Sequence, residues 1–254
     1  MKFLRIVFLL FFTTNLFAQT DGIPQRPAPE KLVNNLSKEF PDFISQSETA
    51  QLEAKLDAFS KQTSNQIVVL IVDDFGNDDA NSFATKIGRS WGVGQKDFNN
   101  GIVVLIKPTG GQGQRDAYIA VGYGLEGPIP DITAKHIVEQ ELNPYFQEGK
   151  YFDGLNAATD VIMKLAKGEI DHKIYDKKGN QAKSWVYIVF LIIFVLVIIN
   201  VLRKGGGGFG GGAATGFFIG SGGFGGSGGG GFGGGGFGGF GGGGFGGGGG
   251  GGKW

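Results

Sequence analysis

Five oxygen-bearing side chains stand near two predicted strand ends and have the chemistry of a hard-cation site. Three precede one strand, one follows the next strand, and one opens a helix: Asp97, Asn99, Asn100, Glu126 and Asp131. Carboxylate and amide oxygens without His or Cys suit calcium or magnesium. The alternative is turn and cap chemistry, in which Asn100-Gly101 forms a turn, Asp131 caps a helix and Glu126 is solvated.

A second acidic cluster follows the first buried strand and is the other candidate for a cation site. It contains Asp73, Asp74 and Asp78, directly before a predicted helix that starts at Asp79. The cluster lacks EF-hand spacing, because no Glu stands near the twelfth position from either Asp73 or Asp74. Part of it is also expected to cap the helix and to complement its N-terminal charge.

The composition excludes several other kinds of site. The chain has 0 Cys and 2 His, so thiol nucleophiles, disulfides, iron–sulfur clusters and multi-His metal sites are excluded or disfavoured. No Gly-x-Ser-x-Gly elbow occurs in the folded region, and the sequence assigns no catalytic residue. Acidic residues outnumber basic ones between Asp21 and Lys183, which argues against a nucleic-acid partner.

Alternating strands and helices must position both acidic clusters. Continuous apolar runs predict buried strands at Gln66–Val72 and Gly101–Ile106, and Arg115–Val121 predicts a third strand. Apolar residues in helical register predict four helices, at Ser47–Thr63, Asp79–Trp91, Asp131–Leu142 and Tyr151–Ala166.

The connections between these elements predict the topology. The first two strands flank a helix and should be parallel with a right-handed crossover, whereas the third follows a short turn and should be antiparallel. We therefore expect an α/β fold, a three-layer α/β/α sandwich with a small mixed sheet. In this topology Asp97 and Asp131 share one end of the sheet, and Asp73 lies at the other end.

The flanking segments predict export. Residues 1–18 have the charged start, apolar run and small residue at Ala18 of a signal peptide, with an uncleaved anchor as the alternative. Residues 19–29 are an extended lead-in, 30–168 form the domain, and 169–184 are a polar linker. Residues 185–202 hold 17 apolar residues and one Asn and predict a single transmembrane helix of roughly 27 Å.

The remaining residues, 203–254, form a Gly/Phe-rich tail. The segment holds 34 of the 50 Gly, which predicts a disordered, low-complexity tail because ordering glycine costs much backbone entropy. The tail is interpreted either as a tolerated appendage or as a weak, Phe-mediated contact surface. The expected location is the cytoplasmic membrane, with the domain on the periplasmic (extracytoplasmic) side and the tail in the cytoplasm. The expected partners are the membrane and an unidentified membrane protein.

Five short motifs, in order, resemble the TPM domain family over roughly residues 40–168. They are Asn65–Leu70, Arg89–Gly94, Asn100–Leu105, Gly122–Gly127, and Asn143–Phe146 followed by Gly149–Asp153. The layout of signal peptide, domain, membrane helix and Gly-rich tail also resembles bacterial membrane-anchored members. The family usually has Asp-Asn-Gly before the second strand, whereas this chain has Asn99-Asn100-Gly101 and loses one charge there.

The resemblance implies a function as well as a fold. It implies an α/β/α sandwich outside the cytoplasmic membrane, divalent-cation binding in some members, and roles in the assembly or repair of membrane complexes. It also implies acid phosphatase activity in a plant member. We therefore expect a membrane-anchored, cation-binding interaction or assembly module, and the alternative is a metal-assisted acid phosphatase (phosphomonoesterase).

Overall fold

The computed structural model describes residues 22–203 and 239–254, with the backbone alone at 178–188 and 201–203. The predicted signal peptide and most of the Gly-rich tail lie outside the described residues. The described part is an α/β fold with a five-stranded mixed sheet and six helices, which confirms the expected α/β class and the mixed sheet.

The elements follow the chain in a largely alternating order. The strands are β1 (Val33–Asn35), β2 (Gln66–Ile71), β3 (Gly101–Lys107), β4 (Asp116–Gly122) and β5 (Phe245–Lys253). The helices are α1 (Gln46–Thr63), α2 (Ala80–Trp91), α3 (Asp131–Ile137), α4 (Asn143–Gln147), α5 (Tyr151–Ala166) and α6 (His172–Arg203).

The strands are ordered β1-β2-β3-β4-β5 across the sheet. β1, β2 and β3 are parallel, β4 is antiparallel to β3, and β5 is antiparallel to β4. The predicted parallel and antiparallel pairs are thereby confirmed. The short β1 was not predicted, and the Glu53 carboxylate helps to fix it by accepting the Leu32 and Val33 amides at 2.8 and 2.7 Å.

The core lies on both faces of the central strands. All six residues of β2 are buried, and α1 packs Leu52, Leu56 and Phe59 towards the core. Helix α2 packs on β3, β4 and β5, whereas α3 and α5 contact each other. A strand that is covered on both faces needs a continuous apolar run, which is the pattern in the sequence.

The helical run that begins at Asp131 does not end at Leu142, where the sequence analysis predicted its end. The chain passes from α3 through a π-helical turn, Val138–Leu142, directly into α4. Pro144 occupies the first turn of α4, a position where the fixed φ of proline suits a helix. The proline therefore starts a new helix rather than ending the chain's helical run.

The prediction of a disordered tail is wrong for the last residues of the chain. Phe245–Lys253 forms β5 and pairs along β4 with one register shift opposite Ala120–Gly122. Phe245 and Trp254 are both buried. The entropy argument considered the tail in isolation, and it omitted the hydrogen bonds and apolar burial that the edge of β4 supplies.

Helix α6 begins inside the segment that the sequence suggested was a linker. Asp176 fixes its first turns against α3, because Asp176 accepts Thr133 Oγ1 at 2.9 Å and contacts His136 Nδ1 at 2.8 Å. Tyr175 donates to Glu141 at 3.0 Å. Within the described residues, no helix is both long and apolar enough to traverse a membrane.

The capping box of α1 gives a direct test of this fold. Ser45 Oγ accepts the Glu48 amide, and the Glu48 carboxylate accepts the Ser45 amide at 2.7 Å. Ser45→Ala should lower the free energy of unfolding by about 1 kcal/mol, because it removes the acceptor for one helix amide. Ser45→Asp should retain most of that stability, as measured by denaturant titration. Equal losses in both variants would contradict the capping role.

Candidate functional site

The candidate site is the groove along the outer edge of β4. Helix α2 packs on one side of β4 and β5, and α3 packs on the other. Strand β5 occupies this space, which we call the β4 groove. The 3₁₀ turn Tyr123–Leu125 follows β4 directly, so Glu126 and Asp131 reach the rim of the groove.

Two of the predicted ligands meet at one point of this rim. A Cβ atom placed on Gly248 would lie 2.9 Å from Glu126 Oε1 and 3.0 Å from Asp131 Oδ1. The two oxygens are therefore at most about 6 Å apart. Asp131 Oδ1 also accepts the Gly249 amide at 2.7 Å. The structure thus brings the two carboxylates together beside the glycine backbone of β5.

Asn99 lies further along the same groove. Its Oδ1 accepts the Gly244 amide at 2.8 Å. Gly244 and Gly249 are five residues apart in an extended chain, which corresponds to roughly 16 Å. Asn99 therefore binds the C-terminal segment at a separate place from Asp131.

The other two predicted ligands have different surroundings. Asn100 is buried, where its Oδ1 accepts the Gln95 amide and its Nδ2 donates to the Ser64 carbonyl at 2.9 Å. Asp97 is exposed on the preceding loop. Asn100 thus orders the loop before β3, which agrees with the turn alternative for this residue.

The second acidic cluster is engaged in turns and an ion pair. Asp73 is partly desolvated, yet hydrogen bonds from Ser37 and the following amides hold the pKa of its carboxyl below the ordinary value. Asp74 accepts the Gly76 amide at 2.8 Å, and Asp78 pairs with Lys86 at 2.8 Å. These contacts favour turn and cap chemistry for Asp73, Asp74 and Asp78.

No group of three or more His, Asp or Glu side chains that could hold a metal ion occurs among the residues that the structure describes. A cation at the groove would thus have two carboxylates, Glu126 and Asp131, and would need further oxygens from backbone or water. Such mixed coordination is typical of calcium and magnesium.

Sequence reasoning missed the residues that form the wall of the groove. Arg89 donates from Nε and Nη2 to the Phe245 carbonyl at 2.9 and 2.6 Å. The ring of Tyr123 packs against Gly246, and the ring of Tyr118 packs against Gly251. Because these residues contact the end of the chain, only the position of β5 reveals their role.

Tyr118 has the most perturbed acid–base equilibrium beside the groove. Burial, followed by the negative charges of Asp131 and Asp79, raises its pKa from 10.0 to about 12. The folded chain therefore favours the neutral phenol. This preference stabilises the fold fully below pH 10 and is lost as the pH rises through about 12.

Asp131→Asn should lower the pKa of Tyr118 from about 12 towards 10.0, because it removes a negative charge that opposes the phenolate. A phenolate absorbance titration, with Tyr118→Phe subtracted as the blank, measures this pKa. Asp153→Asn changes a carboxylate on α5 and should leave the titration unchanged. An unshifted Tyr118 pKa in Asp131→Asn would contradict the electrostatic contact.

Comparisons of sequence and structure relate this chain to known proteins. The profile of the TPM domain matches residues 38–165. The structures similar to this chain include the solution NMR structure of the N-terminal domain of a protein from P. gingivalis. That domain is 23% identical, with a TM-score of 0.46, and the match covers 55% of this chain and 83% of that domain. A search of curated proteins gave no match. Because the profile spans half of the sequence, the chain belongs to the TPM domain family.

Proposed function

We propose that this protein is an interaction or assembly module for membrane protein complexes, and that it acts outside the cytoplasm while attached to the membrane. We further propose that Glu126 and Asp131 bind a divalent cation, calcium or magnesium, at the rim of the β4 groove. The convergence of these two carboxylates beside β5 is the observation that carries the proposal.

The chemistry of the rim supports a hard cation. Asp131 is exposed and Glu126 is half-buried, and neither forms an ion pair with a described basic side chain. Two carboxylates at most about 6 Å apart repel each other, and a divalent cation between them relieves that repulsion. Two oxygens bound to one calcium ion are at most about 5 Å apart, so a small side-chain adjustment suffices.

The surface of α6 supports attachment to a membrane. Large apolar side chains are exposed along consecutive positions of the helix, including Phe190, Phe194 and Ile198. A continuous exposed apolar surface of this kind is unfavourable in water and is satisfied by lipid or by a protein partner. Together with the predicted signal peptide, this surface supports a place for the domain at the outer side of the membrane.

Cation titration of the full chain in nanodiscs tests the proposed site. Isothermal titration with calcium chloride and magnesium chloride should detect binding. Glu126→Gln and Asp131→Asn should each weaken it by about tenfold or more, since losing even a supporting group typically costs roughly 10–100-fold. Each variant removes a charged oxygen while nearly preserving side-chain size.

Glu148→Gln is the matched control, because Glu148 is an exposed carboxylate that directly follows α4 and pairs with Lys150. It should bind cations as the unmodified chain does. If Glu126→Gln and Asp131→Asn leave affinity unchanged, the assignment fails. If Asp73→Asn or Asp78→Asn abolishes binding instead, the cation site is at the opposite end of the sheet.

A further inference from the structure

We propose that the β4 groove is a peptide-binding site whose ligand is the glycine-rich C-terminal segment, residues 239–254, of the same chain. The segment lies outside the part of the sequence that matches the TPM domain. The proposal assigns a ligand chemistry to the groove: an extended backbone nearly without side chains, with Phe245 and a terminal Trp as anchors. It stands independently of cation binding.

The groove selects glycine by steric exclusion against two of its walls, α3 and the backbone of β4. A Cβ at Gly250 would lie 2.2 Å from the Lys135 backbone nitrogen, and a Cβ at Gly249 would lie 2.1 Å from the Ile119 carbonyl oxygen. Real Cβ atoms do not approach backbone atoms so closely. The Gly run in the tail is therefore the sequence that fits this groove, rather than a neutral filler.

Two aromatic anchors hold the ends of the strand. Phe245 is 1% exposed, and its ring lies against Gly88 of α2, where a Cβ would be 2.5 Å from the ring. Trp254 is 3% exposed and packs edge-to-face on Phe146 at 5.0 Å between ring centroids. Because α2 presents glycine where Phe245 packs, the domain itself carries part of the complementarity.

Backbone hydrogen bonds fix the segment beyond β5 itself. The Gly113 amide donates to the Trp254 carbonyl at 2.9 Å, and Gln66 Nε2 donates to the Gly239 carbonyl at 2.9 Å. The Phe240 amide donates to Glu30 at 2.7 Å. The recognition thus extends over the whole described C-terminal segment and does not consist of one contact.

This pairing has a topological consequence. Strand β5 can pair with β4 in one molecule only if both lie on the same side of a membrane. If residues 185–202 crossed the membrane once, β4 and β5 would lie on opposite sides of it. The prediction that the tail is in the cytoplasm requires such a crossing. The two arrangements exclude each other within one chain, so an experiment that detects the pairing also shows that residues 239–254 lie on the same side of the membrane as the domain.

Disulfide trapping in the full chain tests the proposal, because the natural sequence has 0 Cys. Asp116 and Lys253 are paired across β4 and β5. Antiparallel partners have Cα separations of roughly 4.5–5.5 Å, within the range of a disulfide. Asp116→Cys/Lys253→Cys should therefore form an intramolecular disulfide upon mild oxidation of intact cells, detected as a reducible shift in gel mobility at monomer mass.

Lys107→Cys/Lys253→Cys is the matched control. Lys107 lies on β3 and pairs with Asp116 on β4. It is therefore two strands, or roughly 10 Å, from Lys253 on β5 and should not cross-link to it. The proposal is overturned if both pairs cross-link equally or if Asp116→Cys/Lys253→Cys does not cross-link. Covalent dimers from a mixture of the two single-Cys chains, without the intramolecular product in the double variant, would overturn the assignment to the same chain.

The glycine requirement has its own test within the trapped pair. Gly250→Ala should reduce the rate of Asp116→Cys/Lys253→Cys cross-linking by about tenfold, because the added methyl group overpacks against the α3 backbone. Gly252→Ala is the control on the same face of β5, since its Cβ would meet side-chain atoms alone, the nearest being the Asn143 nitrogen at 3.1 Å and Val138 Cγ1 at 3.3 Å. Equal rates in the two variants would overturn steric selection, even if the strand itself is paired.

Discussion

The narrow space between the edge of β4 and α3 is the constraint on which the arrangement of this chain depends. Backbone groups at a covered sheet edge need partners, because a buried amide or carbonyl without a hydrogen bond is costly. Another strand supplies such partners, but at Gly250 the groove has no room for a Cβ. The edge of β4 is thus completed by a strand of glycine, the one residue type without a Cβ.

The same constraint explains why the strand needs anchors at both ends. Glycine loses more conformational freedom upon ordering than any other residue and buries almost no apolar surface. The favourable free energy must then come from the β4 ladder and from the few side chains present. Phe245 and Trp254 supply apolar burial at the two ends, while Arg89 fixes the Phe245 carbonyl. The segment therefore alternates long glycine stretches with isolated aromatic residues.

Local sequence patterns predicted the strands and helices of the domain well, because the residues that determine each element lie within that element. The apolar runs of β2 and β3 and the Ser45–Glu48 capping box are readable without knowledge of their partners. The ladder of β5 is different, because its partner strand is more than a hundred residues away in sequence. No periodicity within a glycine run indicates pairing, so an entropy argument alone predicted disorder.

For the candidate metal ligands as well, the sequence predicted some features of the site and not others. Chain topology correctly brought Glu126 and Asp131 to one place, since a short turn joins β4 to α3. It could not give side-chain direction: Asn100 points into the loop before β3, and Asn99 contacts the strand at a separate point. Residues at one end of a sheet lie in the same region, but the ligands of a metal ion must all direct their oxygens at one position.

Asp131 links the two proposed activities of the groove. Its Oδ1 accepts the Gly249 amide, and the same oxygen would face a cation held with Glu126. An ionised carboxylate has two oxygens and several lone-pair sites, so the Gly249 amide and a cation can share Asp131. Docking of the strand and binding of the cation are then coupled through this one side chain. Because coupling between two ligands is reciprocal, each must change the binding of the other by the same factor.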